Sequence, residues 1–187
     1  MKSTYQLDKE EAILLVIDLQ ERLMPAMYDR DLLLKQASVL LQVAKIFNLP
    51  VVMTEQYPRG LGHTVDLLLS LIESEELPVD VFHKTSFTAF TPEVKECVER
   101  YNRKQVIVIG AETHVCVFQT VRDLLAEGYM VFVPFDAVDS RTQENKNNAL
   151  DLFSEMGAVV TNTETILFDL LQVSGTPEFK KLSALIK

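Results

Sequence analysis

Two stretches of the chain are apolar without alternation: Ala12-Ile13-Leu14-Leu15-Val16-Ile17 and Val106-Ile107-Val108-Ile109. A strand with one wet face alternates apolar and polar residues. Unbroken runs of this length mark strands covered on both faces, as in the interior of a parallel sheet. Parallel strands need crossover connections, and the sequence between the runs supplies them. Strands are predicted near Ile13–Ile17, Val51–Thr54, Val81–His83, Gln105–Ile109, Met130–Val133 and Ala158–Val160. Helices are predicted near Asp31–Phe47, Val65–Leu71, Pro92–Tyr101, Cys116–Glu127, Asn145–Met156 and Glu164–Asp169. In the first helix Leu33, Leu34, Ala37, Leu40, Leu41, Ala44 and Phe47 recur at helical spacing. Strand–helix alternation with short connections predicts an α/β fold: a three-layer α/β/α sandwich around a doubly wound, mainly parallel, six-stranded, Rossmann-like sheet.

Chain length suits one domain spanning residues 1–187, with no composition shift to mark a linker. The chain is 48% hydrophobic, enough for a sizeable core, yet no apolar run reaches the length of a membrane span. A formal charge of −9 argues against nucleic acid as a partner, because that needs a basic footprint. The charged start, Asp8-Lys9-Glu10-Glu11, does not read as a secretory signal, so a cytoplasmic address is expected. Two cysteines, Cys97 and Cys116, make no disulfide framework. Cys97 lies within a predicted helix and reads as structural.

Three residues stand where a parallel sheet places its chemistry. Asp18 ends the first strand, Lys84 follows the third, and Cys116 opens the helix after Gly110 ends the fourth. Each has an ordinary alternative: a loop-anchoring aspartate, a solvated lysine, a small buried thiol. Together they form a pattern, since the C-terminal strand ends of a doubly wound sheet converge on one crevice. A helix N-terminus and a neighbouring ammonium both favour thiolate, so Cys116 is expected to be a low-pKa thiol. The carboxylate can take the thiol proton or hold the lysine.

With these residues the chain resembles the isochorismatase-like cysteine hydrolases. The resemblance runs from Leu15-Val16-Ile17-Asp18-Leu19-Gln20 to Ile166. It takes in Thr54-Glu55-Gln56-Tyr57-Pro58-Arg59-Gly60-Leu61-Gly62, Lys84-Thr85-Ser86-Phe87, Gly110-Ala111-Glu112-Thr113-His114-Val115-Cys116-Val117 and Asp136-Ala137-Val138-Asp139-Ser140-Arg141. It implies a hydrolase with Asp18, Lys84 and Cys116 as catalytic residues, a cis Ala111–Glu112 peptide, and an oxyanion hole from the backbone N–H groups of Glu112 and Cys116. It implies a small-molecule substrate and assembly as a homo-oligomer. Apolar residues in predicted loops and tail, such as Leu61, Phe90, Phe135, Leu182 and Ile186, point the same way. Gln20, Glu55, Gln56, Tyr57 and Phe87 follow strand ends, and His114 flanks the thiol. All are candidates to line a substrate pocket, with plain loop packing as the alternative.

Zinc-dependent nicotinamidases of similar fold carry an Asp-x-His pair after the second strand. Here that region reads Thr54-Glu55-Gln56-Tyr57, and His63, His83 and His114 are scattered, so neither metal nor other cofactor is expected. His63 reads as loop surface. Isochorismatases proper cleave a vinyl ether by proton donation and water, chemistry that has no use for a thiol. The cysteine favours amide, carbamoyl or related carbonyl substrates through a thioester. Thiol sensing without hydrolysis, vinyl-ether (isochorismate) hydrolysis and a non-catalytic interaction role on the same fold are the competing readings. No Cys-x-x-Cys motif supports the first of these.

Overall fold

The computed structural model describes residues 5–186. Six parallel strands build the sheet: β1 (Ala12–Ile17), β2 (Val51–Gln56), β3 (Val79–Lys84), β4 (Gln105–Ala111), β5 (Met130–Pro134) and β7 (Val159–Thr161). Their spatial order is β3-β2-β1-β4-β5-β7, and a two-residue strand, β6 (Val138–Asp139), adds to the end of β4. Both unalternated runs lie at the centre: β1 and β4 are neighbours, and all their residues are buried.

Helices α1 (Arg30–Phe47), α3 (Asp66–Ser74), α7 (Thr163–Leu171) and α8 (Pro177–Leu185) cover one face, packing on Leu14, Val16, Met53 and Ile107. Helices α4 (Pro92–Arg100), α5 (Phe118–Ala126) and α6 (Gln143–Met156) cover the other, on Ile13, Leu15, Val52 and Val108. Neighbouring residues of one strand therefore serve opposite layers, the geometry that makes a both-sided strand apolar throughout. Five of these helices start at side-chain caps: Asp29 for α1, Thr91 for α4, Thr142 for α6, Asn162 for α7 and Thr176 for α8. Each cap accepts a first-turn N–H that would otherwise lack a partner.

The expected three-layer α/β architecture is present, with differences of detail. A seventh strand exists because Gly110 does not end β4. The strand continues to Ala111, and Gly110 and Ala111 pair with Val138 and Asp139. Gly110 has φ +124°, and a Cβ there would meet the Ile17 carbonyl oxygen at 2.0 Å. Only glycine allows the two central strands to approach so closely at their ends. The helix expected from Cys116 begins instead as a wide turn, Thr113–Val117, in which the Val117 N–H reaches back to the Glu112 carbonyl, before α5 starts at Phe118. A short helix, α2 (Pro58–Leu61), occupies the expected loop. The tail is a helix docked on its own domain: Leu182 is fully buried and Ile186 packs on the core, so neither serves as exposed apolar surface.

Candidate active site

The strand order reverses between β1 and β4: the chain winds outward to β3 in one direction and to β7 in the other. Asp18 leaves β1 and the Cys116 turn leaves β4 at this switch point, where a crevice opens in sheets of this kind. Lys84 reaches it from the edge strand β3, two strands away. The long lysine stem makes that possible, and its side chain is 1% exposed.

The Lys84 ammonium donates to Asp18 Oδ2 at 2.6 Å and Gln56 Oε1 at 2.7 Å, with the Phe87 and Ser86 carbonyls at 3.2 and 3.3 Å. Asp18 Oδ1 accepts from the Thr54 hydroxyl at 2.8 Å, and the Cys116 thiol sits near enough to the same carboxylate to feel its charge. Asp18 is fully buried and adopts φ +54°, which turns the chain sharply at the strand end. Thr120 accepts from the Ala89 N–H at 2.8 Å and donates to the Cys116 carbonyl at 2.6 Å, fixing the turn from below. The Ala111–Glu112 peptide is cis. Glu112 is buried and forked onto Arg141 at 2.7 and 3.0 Å, and His114 lies 3.0 Å from the Ser140 hydroxyl.

The thiol is not low-pKa in the resting chain, contrary to expectation. Burial pushes it up to about 12, and the Asp18 charge adds to that, outweighing Lys84. The reason lies in the pairing. Lys84 is already neutralised by Asp18 at 2.6 Å, so the sulfur meets a net-neutral pair in a poorly solvated place. Burial likewise holds the Asp18 carboxyl above its ordinary range against the pull of Lys84. The resting set is a neutral thiol beside a carboxylate of strengthened basicity.

The family model described as the isochorismatase domain matches residues 12–165. This chain belongs to the isochorismatase family. Among similar proteins is the secreted isochorismatase effector Isc1 of Phytophthora sojae, 39% identical over 94% of this chain and 84% of that one. A solved structure of the MAR1 ribonuclease of Caenorhabditis elegans superposes with a TM-score of 0.89, at 34% identity, covering 97% of this chain and 92% of that one. The YcaC gene product of Escherichia coli, an octameric hydrolase of unknown specificity, superposes with a TM-score of 0.88 at 26% identity, covering 99% and 92%.

Within this isochorismatase-family site, the candidate pocket residues separate. Gln56 touches Lys84 directly. Phe87 offers its carbonyl to Lys84 while its ring is exposed. Gln20 is fully buried: its amide donates to the Gln56 and Gly62 carbonyls and accepts from the Gln56 N–H, so it stitches the adjacent loop rather than facing a ligand. Glu55 points to the opposite face from Gln56, as strand alternation requires, and accepts from the Thr64 N–H and hydroxyl at 2.7 and 3.0 Å. Tyr57 lines an open cleft of about 610 Å³ whose walls include Arg59, His63, His83, Lys84 and Thr85 but neither Asp18 nor Cys116. His63 is no free loop residue: it and His83 both contact Glu55. Sequence reasoning gave no role to Thr54, Thr120 or Arg141. Thr54 had a signal, since it ends the strand predicted beside the one that carries Asp18.

Proposed function

We propose that this isochorismatase-family chain is a cysteine hydrolase that cleaves a small amide, carbamoyl or related carbonyl compound, probed most directly as a C–N bond hydrolase other than a peptidase. One observation carries the reading: a buried lysine–aspartate ion pair with a thiol beside it, at the switch point of the sheet. A buried ion pair is a poor device for stability, so its placement on a nucleophile argues for chemistry.

As the sulfur of Cys116 attacks the carbonyl carbon, Asp18 takes the thiol proton, and Lys84 keeps the carboxylate in position while its charge offsets the developing negative charge. Backbone N–H groups of Glu112 and Cys116 receive the oxyanion. Collapse breaks the C–N bond, and Asp18 returns the proton to the departing amine. A water, deprotonated by Asp18, then attacks the thioester. The acid leaves, and the proton returns to sulfur. With the thiol near 12, thiolate is made only as attack proceeds, so the carboxylate acts as a true general base.

A panel of amides, carbamoyl compounds, activated esters and an RNA oligonucleotide tests this, the last because one similar structure is named a ribonuclease. Hydrolysis of a carbonyl substrate is expected, with an acyl mass adduct on Cys116 trapped from slow substrates. Cys116→Ala and Asp18→Asn are each expected to lower kcat by about 10³-fold or more, as for nucleophile and base elsewhere. Turnover that survives Cys116→Ala overturns the reading. Homo-oligomeric assembly belongs to the same proposal, supported by the octameric YcaC product.

A further inference from the structure

The sheet face that turns away from Lys84 carries a second cluster. Glu55 of β2 and His83 of β3 are register partners, so their side chains stand next to each other on one face. His63 arrives from the loop that follows α2. His63 Nδ1 lies 2.9 Å and His83 Nε2 3.3 Å from the same carboxylate oxygen, Glu55 Oε2. One ligand atom from each of the three residues lies within 4.8 Å of the other two. We infer that Glu55, His63 and His83 form a binding site for a divalent transition-metal ion of the zinc type, with solvent completing its coordination.

The donor set fits that class. Two imidazole nitrogens and one carboxylate oxygen suit zinc, nickel, cobalt or copper rather than magnesium or calcium, which prefer oxygen alone. Zinc bonds of about 2.0–2.2 Å at tetrahedral angles space the donors by about 3.3–3.5 Å. The observed contacts of 2.9 and 3.3 Å need only a small opening to admit the ion. The carboxylate is already oriented: its other oxygen is held by the Thr64 N–H and hydroxyl, the outer-shell support that metal ligands need. Glu55 is almost wholly buried while both imidazoles are more than half exposed, so the base of the site is rigid and its mouth is open. The cleft of about 610 Å³ has both histidines in its wall, giving the remaining coordination positions access to solvent. The three ligands are not those of the Asp-x-His pattern discussed above, and Asp18 and Cys116 take no part, although Lys84 borders the same cleft. A metal here would tie the loop at His63 to the edge strand at His83.

The test uses the full chain with Zn²⁺ and with Co²⁺ as a spectroscopic stand-in. A single ion per chain is expected, with Co²⁺ giving visible d–d absorption and no near-ultraviolet sulfur-to-cobalt band. Competition against a chromophoric chelator should show His63→Ala and His83→Ala each weakening Zn²⁺ at least about tenfold, a loss typical even of outer-shell partners. Zn²⁺ should raise the Tm of the parent chain and not that of either variant. His63→Gln and His83→Gln keep side-chain bulk and repeat the comparison if an alanine variant unfolds. The proposal is overturned by affinity unchanged in both histidine variants, by failure of the parent chain to bind Zn²⁺, or by a sulfur charge-transfer band that Cys116→Ser removes.

Discussion

Asp18 sets the pH dependence that this site imposes. The proposed hydrolysis needs its carboxylate ionised, and burial raises its pKa above the ordinary aspartate value. Activity is therefore present above that raised pKa and is lost as the pH falls through it. The acid limb of kcat/KM should lie at higher pH than an exposed aspartate would give. The Thr54 hydroxyl opposes the rise by bonding the ionised form at 2.8 Å. Thr54→Val is expected to move the acid limb further upward with little change in fold, measured as a pH–rate profile on any substrate the panel yields. A limb that stays in place or moves downward would remove Asp18 from the role of base. At this scale the three proposed catalytic residues were legible because each lies at or just beyond the C-terminal end of a strand. Their ionisation was not, because the influence of Lys84 on sulfur depends on where the ammonium spends its charge, and Asp18 at 2.6 Å takes most of it.

Among the elements, β1 and β4 carry the tightest constraint. They meet at Ile17 and Gly110. An added Cβ at Gly110 would sit 2.0 Å from the Ile17 carbonyl oxygen, which belongs to the backbone and cannot rotate away. Gly110→Ala is expected to cost about 3 kcal/mol or more, from overpacking and an unfavourable φ together, read by urea unfolding. Loss of activity should accompany it, because Ile17 leads directly into Asp18 and Gly110 into the Cys116 turn. The two central strands were readable from their unbroken apolar runs, since covering both faces removes the alternation that would mark a wet one. β6 was not: two residues hold no periodicity, and their pairing exists only because Gly110 lets β4 run on. Nor was the Glu55–His63–His83 cluster legible, because a parallel register, not spacing along the chain, brings residues 55 and 83 side by side.

For the whole molecule, the burial of Leu182 removes part of the surface that had argued for association, while Phe135, Phe168, Leu67 and Leu69 stay exposed. A homo-oligomer remains the proposal, and light scattering at micromolar concentration should give a multiple of 21.2 kDa. The monomer mass would refute it. No helix among the described residues is long and apolar enough to cross a membrane. The segment from Tyr57 to Thr64, which holds α2 with Pro58, Gly60 and Gly62, is built into the framework. Gln20 clasps it at Gln56 and Gly62, the Arg22 and Glu21 N–H groups donate to the Leu61 and His63 carbonyls, and the Val65 N–H returns to Leu19. The Tyr57 and Thr64 N–H groups at its two ends donate to the Lys84 carbonyl and the Glu55 carboxylate, so these amides are expected to trade with solvent only when the neighbouring sheet edge opens. On a deuterium-exchange map, this rim would therefore share the slow clock of the strands it borders, and molecules of different size would meet an aperture of constant width rather than a door.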